Sequence, residues 1–124
     1  MTDSKISIRP VIINIGTVEN KTQEEGFQNT TLRPILKLQH ELLIAFFENY
    51  VKRKKIDFQG LSSEKKKDFV SNIFKNDNMF KTELRGMIIG QFTVSEFATY
   101  KSISSDANKR ILTMAKERLL SVFL

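Results

Sequence analysis

The stretch Leu32-Arg33-Pro34-Ile35-Leu36-Lys37-Leu38-Gln39-His40-Glu41-Leu42-Leu43-Ile44-Ala45-Phe46-Phe47-Glu48-Asn49-Tyr50 decides the fold. Leu32, Ile35, Leu36, Leu42, Leu43, Phe46, Phe47 and Tyr50 recur mostly at steps of three and four, which places them on one stripe of an α-helix. Thr30 or Thr31 is placed to accept from the orphan amides of the first turn. Pro34 falls within that turn, where its missing N–H costs little. Lys52-Arg53-Lys54-Lys55 sets positive charge at the carbonyl end of the helix dipole. The pattern predicts a long helix over about 31–54.

Downstream the helical period continues. Asp57 to Gly60 reads as a turn, and Ser62 caps a helix running to about Lys75, with Phe69, Val70, Ile73 and Phe74 on its apolar side. Asn76-Asp77-Asn78 restarts the chain into a helix of about 78–91 that carries Phe80, Leu84, Met87 and Ile88. Thr93-Val94-Ser95-Glu96 is a capping box, with Phe92 and Phe97 at the staple positions. Ser104 or Ser105 is expected to cap the last helix, whose buried side holds Ala107, Ile111, Leu112, Met114, Ala115, Leu119 and Val122.

Upstream the pattern changes. Ile6, Ile8, Val11, Ile12, Ile13 and Ile15 are β-branched and favour extended backbone, while Pro10, Gly16 and Gly26 punctuate the segment. The expectation is an all-α protein, a compact bundle of about five helices over residues 30–124. Residues 1–29 are expected as an extended arm on the helical body, with a short helical turn near Thr22–Gly26.

Composition agrees with one globular domain. The chain has 124 residues, 40% of them hydrophobic, with ten Phe, no Trp and no Cys. That length buries roughly two-thirds of the surface exposed by the unfolded chain, enough for one core. Without Cys, disulfide scaffolds, Cys-zinc sites, thiol catalysis and Cys-ligated clusters are excluded. No run approaches the ~18 apolar residues of a membrane span, and Met1–Lys5 lacks the pattern of a signal peptide, so the cytoplasm is the expected compartment and no membrane partner is expected.

The net charge of +6 is unevenly placed. Lys5, Arg9 and Lys21 are outnumbered by Asp3, Glu19, Glu24 and Glu25 in the first part of the chain, so the excess lies downstream. Its densest clusters are Lys52, Arg53, Lys54 and Lys55, then Lys65, Lys66 and Lys67, separated by a short turn. They are the candidate contacts for nucleic acid or an acidic protein partner. Three Lys near a helix start oppose its dipole. Among these charges there is no aromatic ladder, so base stacking on a single strand has no support.

Catalytic and metal candidates do not emerge. His40 is the only histidine and flanks the apolar stripe; serines and acids are scattered, and no cofactor is implied. Three amides fall within apolar arcs at roughly 100° per residue: Gln39 among Ile35, Leu36, Leu42 and Leu43; Gln91 among Leu84, Met87 and Ile88; Asn108 among Ile111, Ala115 and Leu119. Buried amides need partners. With Arg33 they are candidates for one polar network or a small pocket, the alternative being separate bonds to nearby carbonyls. Gly86 and Gly90, four apart, are expected to let a neighbouring helix or the arm approach the backbone. Ile89 marks an oligomer contact if nothing in the chain covers it.

Phe27-Gln28-Asn29-Thr30-Thr31-Leu32-Arg33-Pro34-Ile35-Leu36-Lys37-Leu38-Gln39 and Leu84-Arg85-Gly86-Met87-Ile88-Ile89-Gly90-Gln91-Phe92-Thr93-Val94 resemble a family of small bacterial helical proteins often named "glyoxalase". The resemblance covers about residues 27–120 and supplies no site residues. Its name implies a metal-dependent lyase. The residues themselves point first to a non-enzymatic helical binding protein contacting nucleic acid or a nucleic-acid-associated complex. The alternative is a self-associating interaction or regulatory module, a homo-oligomer joined through the arm or the Gly86–Gly90 face.

Overall fold

Pro34 lies well inside a helical run rather than in its first turn. In the computed structural model, which describes residues 3–11 and 22–124, that run begins at Thr22. The Thr22 side chain accepts from the Glu25 amide at 3.0 Å and caps α2 (Gln23–Phe27), which follows a short α1 (Ser4–Ser7). A π turn follows at Gln28–Leu32, then α3 (Arg33–Leu38) and α4 (His40–Arg53). Pro34 has no N–H to give the Thr30 carbonyl, and its ring crowds that carbonyl. The ladder opens just upstream, where the Arg33 amide donates to Gln28 five residues back. The Thr30 hydroxyl bonds back to the Gly26 carbonyl at 2.7 Å. The expected cap at Thr30 or Thr31 is therefore replaced by Thr22, and residues 23–29 belong to the helical body rather than to an extended arm.

At Gln39 the backbone relaxes to φ −90°, ψ 8° and bends the long helix between α3 and α4. The bend turns the apolar stripe. Leu43, Phe47 and Tyr50 face inward, whereas Leu42, expected on that stripe, is 51% exposed.

The remaining helices are α5 (Ser63–Asn76), α6 (Asn78–Ile89), α7 (Val94–Ser102) and α8 (Ser104–Phe123). Ser62 and Asp77 cap α5 and α6 through their side chains. Both halves of the Thr93/Glu96 capping box are formed. Phe92, however, meets the rings of Phe27 and Tyr100, each at 5.5 Å, while Phe97 stays 43% exposed. The expected serine cap of α8 is absent. Ile103 alone joins α7 to α8 and accepts the Ala107 amide through its carbonyl, so Ser104 is already helical.

Regular structure among the described residues is entirely helical. α8 is the central element. Ala107, Ile111, Ala115 and Leu119 are buried at steps of four, and α8 packs on α2, α4, α5, α6 and α7. Two clusters of aromatic rings flank it. One holds Phe47, Phe58, Phe69 and Phe123; the other holds Phe46, Tyr50, Phe74 and Phe80. Ile89 is partly buried against this core. Gly86 and Gly90 are both exposed, and a Cβ at Gly86 would have nothing within 4 Å, so no element of the chain makes the expected close approach there. Leu84 and Ile88 turn inward, which leaves both glycines facing outward.

The segment before residue 12 does lie on the body, but charge holds it there. Arg9 pairs with Glu96 at 2.6 Å, its other terminal nitrogen donates to the Gln91 carbonyl at 2.7 Å, and Lys5 donates to the Phe92 carbonyl at 3.0 Å. Ile6, Ile8 and Val11 are 45%, 59% and 83% exposed. Of the other β-branched residues expected in the arm, Ile12, Ile13 and Ile15 lie outside the described residues, as does Gly16.

Candidate anion-binding surfaces

The basic clusters sit where α4 ends and α5 begins. Lys52, Arg53, Lys54, Lys55, Lys65 and Lys67 are exposed, and Lys66 is half-buried. They divide around the end of α4. Lys66 lies over the Phe58 ring at 5.6 Å, and Lys52 borders the cleft that Phe58 shares with Phe47, Val51 and Phe123. Arg53 and Lys54 turn the other way, over the Tyr50 ring at 6.0 and 5.4 Å. Ion pairs among the described residues join Arg9 to Glu96 and Arg110 to Asp106, so none of these seven cations is neutralised by one.

The amides in apolar arcs bond to separate partners. Gln39 donates to the Met87 carbonyl at 3.2 Å, tying the bend to α6. Asn108 accepts from the Tyr100 hydroxyl at 2.7 Å, tying α8 to α7. Gln91 contributes its backbone carbonyl, to Arg9. The polar cluster that does form in the interior centres on Glu96. Its carboxylate takes the Thr93 amide, the Arg9 guanidinium and the Thr31 hydroxyl. Burial alone would push the carboxyl up, but Arg9, the Thr93 amide and Thr31 together hold it below the usual carboxylate range.

A second basic surface follows α8. A groove of about 710 Å³ runs beside the π turn, lined by Gln28, Arg33, Lys109, Arg110, Thr113, Met114, Glu117, Arg118 and Ser121. Arg110 is braced by Asp106 and by the Gln28 side chain. Arg33 is held by the Asn29 amide oxygen at 2.9 Å, and Arg118 by His40 Nδ1 at 3.2 Å. A guanidinium is only a donor, so in this contact the His40 nitrogen accepts. Burial, and then the nearby positive charge of Arg33, lower the pKa of Arg118.

Sequence reading placed Arg33 beside the amides and overlooked Arg110 and Arg118. A signal was available. Arg110, Met114, Glu117, Arg118 and Ser121 form a stripe flanking the buried Ile111–Ala115–Leu119 face. What the stripe lacked was a partner, because the meeting with Arg33 and His40 depends on how α8 packs against α4 and the π turn.

The metal implied by the lyase name finds no ligand set among the described residues. Among the described residues no group of three or more His, Cys, Asp or Glu side chains converges as a metal site requires. No described helix is long and apolar enough to cross a membrane. No family model, no curated protein and no solved structure matches the chain.

Proposed function

We propose that this chain is a non-enzymatic helical binding protein that engages a polyanion, nucleic acid or a nucleic-acid-associated complex, through Lys52–Lys55 and Lys65–Lys67. One observation carries the reading: seven cations gather at one helix end and the next helix start, and no ion pair among the described residues neutralises any of them. Phosphate contacts of this kind supply affinity without sequence information, and they release counterions. Binding should therefore weaken steeply with salt, the slope falling by roughly one for each cation that stops contacting a phosphate. Mobility shifts of double- and single-stranded oligonucleotides across a salt series test this. Charge removal at Lys65, Lys66 and Lys67 should flatten the slope, and no shift at low salt sinks the reading.

The open Gly86–Gly90 face favours a second reading, self-association through close helix contact. Within the monomer, Gly86→Ala should stabilise α6 by about 0.5–1 kcal/mol, since Ala costs less backbone entropy and meets no neighbour. If copies pack there, the same change should raise the dissociation constant measured by sedimentation. A wild-type protein that remains monomeric at high concentration ends this second reading.

A further inference from the structure

We infer that the groove beside α8 is a binding site for a phosphomonoester dianion carried by a ligand of about nucleotide size, clamped between Arg33 and Arg118. The two guanidiniums are oriented by acceptors other than carboxylates, Asn29 for one and His40 for the other. Such acceptors orient a cation without cancelling its charge. Arg110, in contrast, is already paired with Asp106. Neither Arg33 nor Arg118 belongs to an ion pair among the described residues, so two like charges are held near each other in a concave site.

The lowered pKa of Arg118 reflects burial first and then the repulsion from Arg33, which a bound dianion would relieve. Each guanidinium presents parallel N–H pairs that match two oxygens of an oxyanion. A phosphomonoester has three unesterified oxygens and can engage both arginines, whereas one carboxylate satisfies only one fork. The groove measures about 710 Å³ and runs from Lys109 to Ser121, so it has room for far more than a phosphate group. That volume lies within the range of small-ligand clefts. Glu117 is the one carboxylate in the lining and repels further negative charge, which favours a single terminal phosphate over a triphosphate. This site is distinct from the Lys52–Lys67 surface and does not depend on it.

Titration calorimetry on the full chain at low ionic strength tests the assignment with three probes: inorganic phosphate, a nucleoside 5′-monophosphate, and a short 5′-phosphorylated oligonucleotide beside its 5′-hydroxyl twin. Saturable binding of the monophosphate should weaken about tenfold or more in Arg33→Gln and again in Arg118→Gln. Both variants should keep the wild-type melting temperature without ligand, because each removes a charge that pairs with no carboxylate. A substitution set confined to Lys65–Lys67 should leave this binding unchanged. Preference for the free monophosphate identifies a small-molecule ligand; preference for the phosphorylated oligonucleotide over its hydroxyl twin identifies a nucleic-acid end. The assignment is overturned if no phosphate probe saturates, if Arg33→Gln and Arg118→Gln bind like wild type, or if the two oligonucleotides bind equally and the monophosphate does not bind.

Discussion

Lys55 is the one non-glycine residue with positive φ among the described residues, at 57°. Its amide donates to Lys52 and the Ile56 amide to Val51, so α4 ends in the paired bonds of a Schellman turn, with Lys55 at the left-handed position. Glycine holds that position most cheaply; a side chain there costs roughly 1 kcal/mol. Lys55→Gly should therefore raise stability by about 0.5–1 kcal/mol in denaturant unfolding. If the patch binds phosphates, the same variant should bind a polyanion less tightly and with a shallower salt slope. Stability and binding would then move in opposite directions at one residue, as expected where a charge is kept at some conformational cost.

Elements are joined by single side chains that serve two helices at once. Asp77 closes α5 and opens α6: one carboxylate oxygen takes the Phe80 amide, and the other takes the Tyr50 hydroxyl at 2.6 Å, linking both helices to α4. The Tyr50 bond, followed by the Phe80 amide, lowers the pKa of Asp77. Burial and then the bond to Asp77 push the Tyr50 phenol up from 10.0 to about 12. Loss of one hydrogen bond to a charged acceptor makes Tyr50→Phe destabilising by about 1–2 kcal/mol near neutral pH. The signs of the pH dependence follow from linkage. The Tyr50 contribution is complete below pH 10 and fades as pH rises toward about 12, where the folded phenol also ionises. The Asp77 contribution is present at neutral pH and is lost as pH falls through its lowered value. The stability gap between wild type and Tyr50→Phe should therefore narrow at both extremes, and a gap that stays constant from neutral pH to pH 12 would contradict the bond.

At the scale of the whole molecule, Arg9 and Glu96 form the longer-range of the two ion pairs among the described residues, and their side chains are 6% and 15% exposed. Burying such a pair is costly, and Arg9 Nε has no partner, so the net gain is smaller than the geometry suggests. Breaking it by Arg9→Gln should still destabilise the protein by about 1–3 kcal/mol, since Glu96 is left with the Thr93 amide and Thr31 alone. Glu96 has a lowered folded pKa, so its stabilisation is present above the ordinary carboxylate range and disappears as pH falls through the lowered value. In Arg9→Gln the acid unfolding midpoint should move to higher pH. Equal acid midpoints in the two proteins would show that the segment before residue 12 does not contribute its charge to the fold.

The sequence by itself determined the helical class, the separation of α5 to α8, and the caps at Ser62 and Thr93, because periodicity and capping are set by residues within one or two turns of each other. It placed Phe47, Leu84, Ile111 and Leu119 inside for the same reason. Pro34 and Leu42 were misread on local grounds. The start at Thr22 puts Pro34 deep inside the run, and the break at Gln39 shifts the stripe, so Leu32, Ile35 and Leu36 are buried as counted from the sequence whereas Leu42 is not. The two basic clusters were legible because their members are sequence neighbours, but their division around the end of α4 was not. The arginine groove was not. Arg33, His40 and Arg118 lie on separate helices, and only the packing of α8 against α4 and the π turn brings them to one groove.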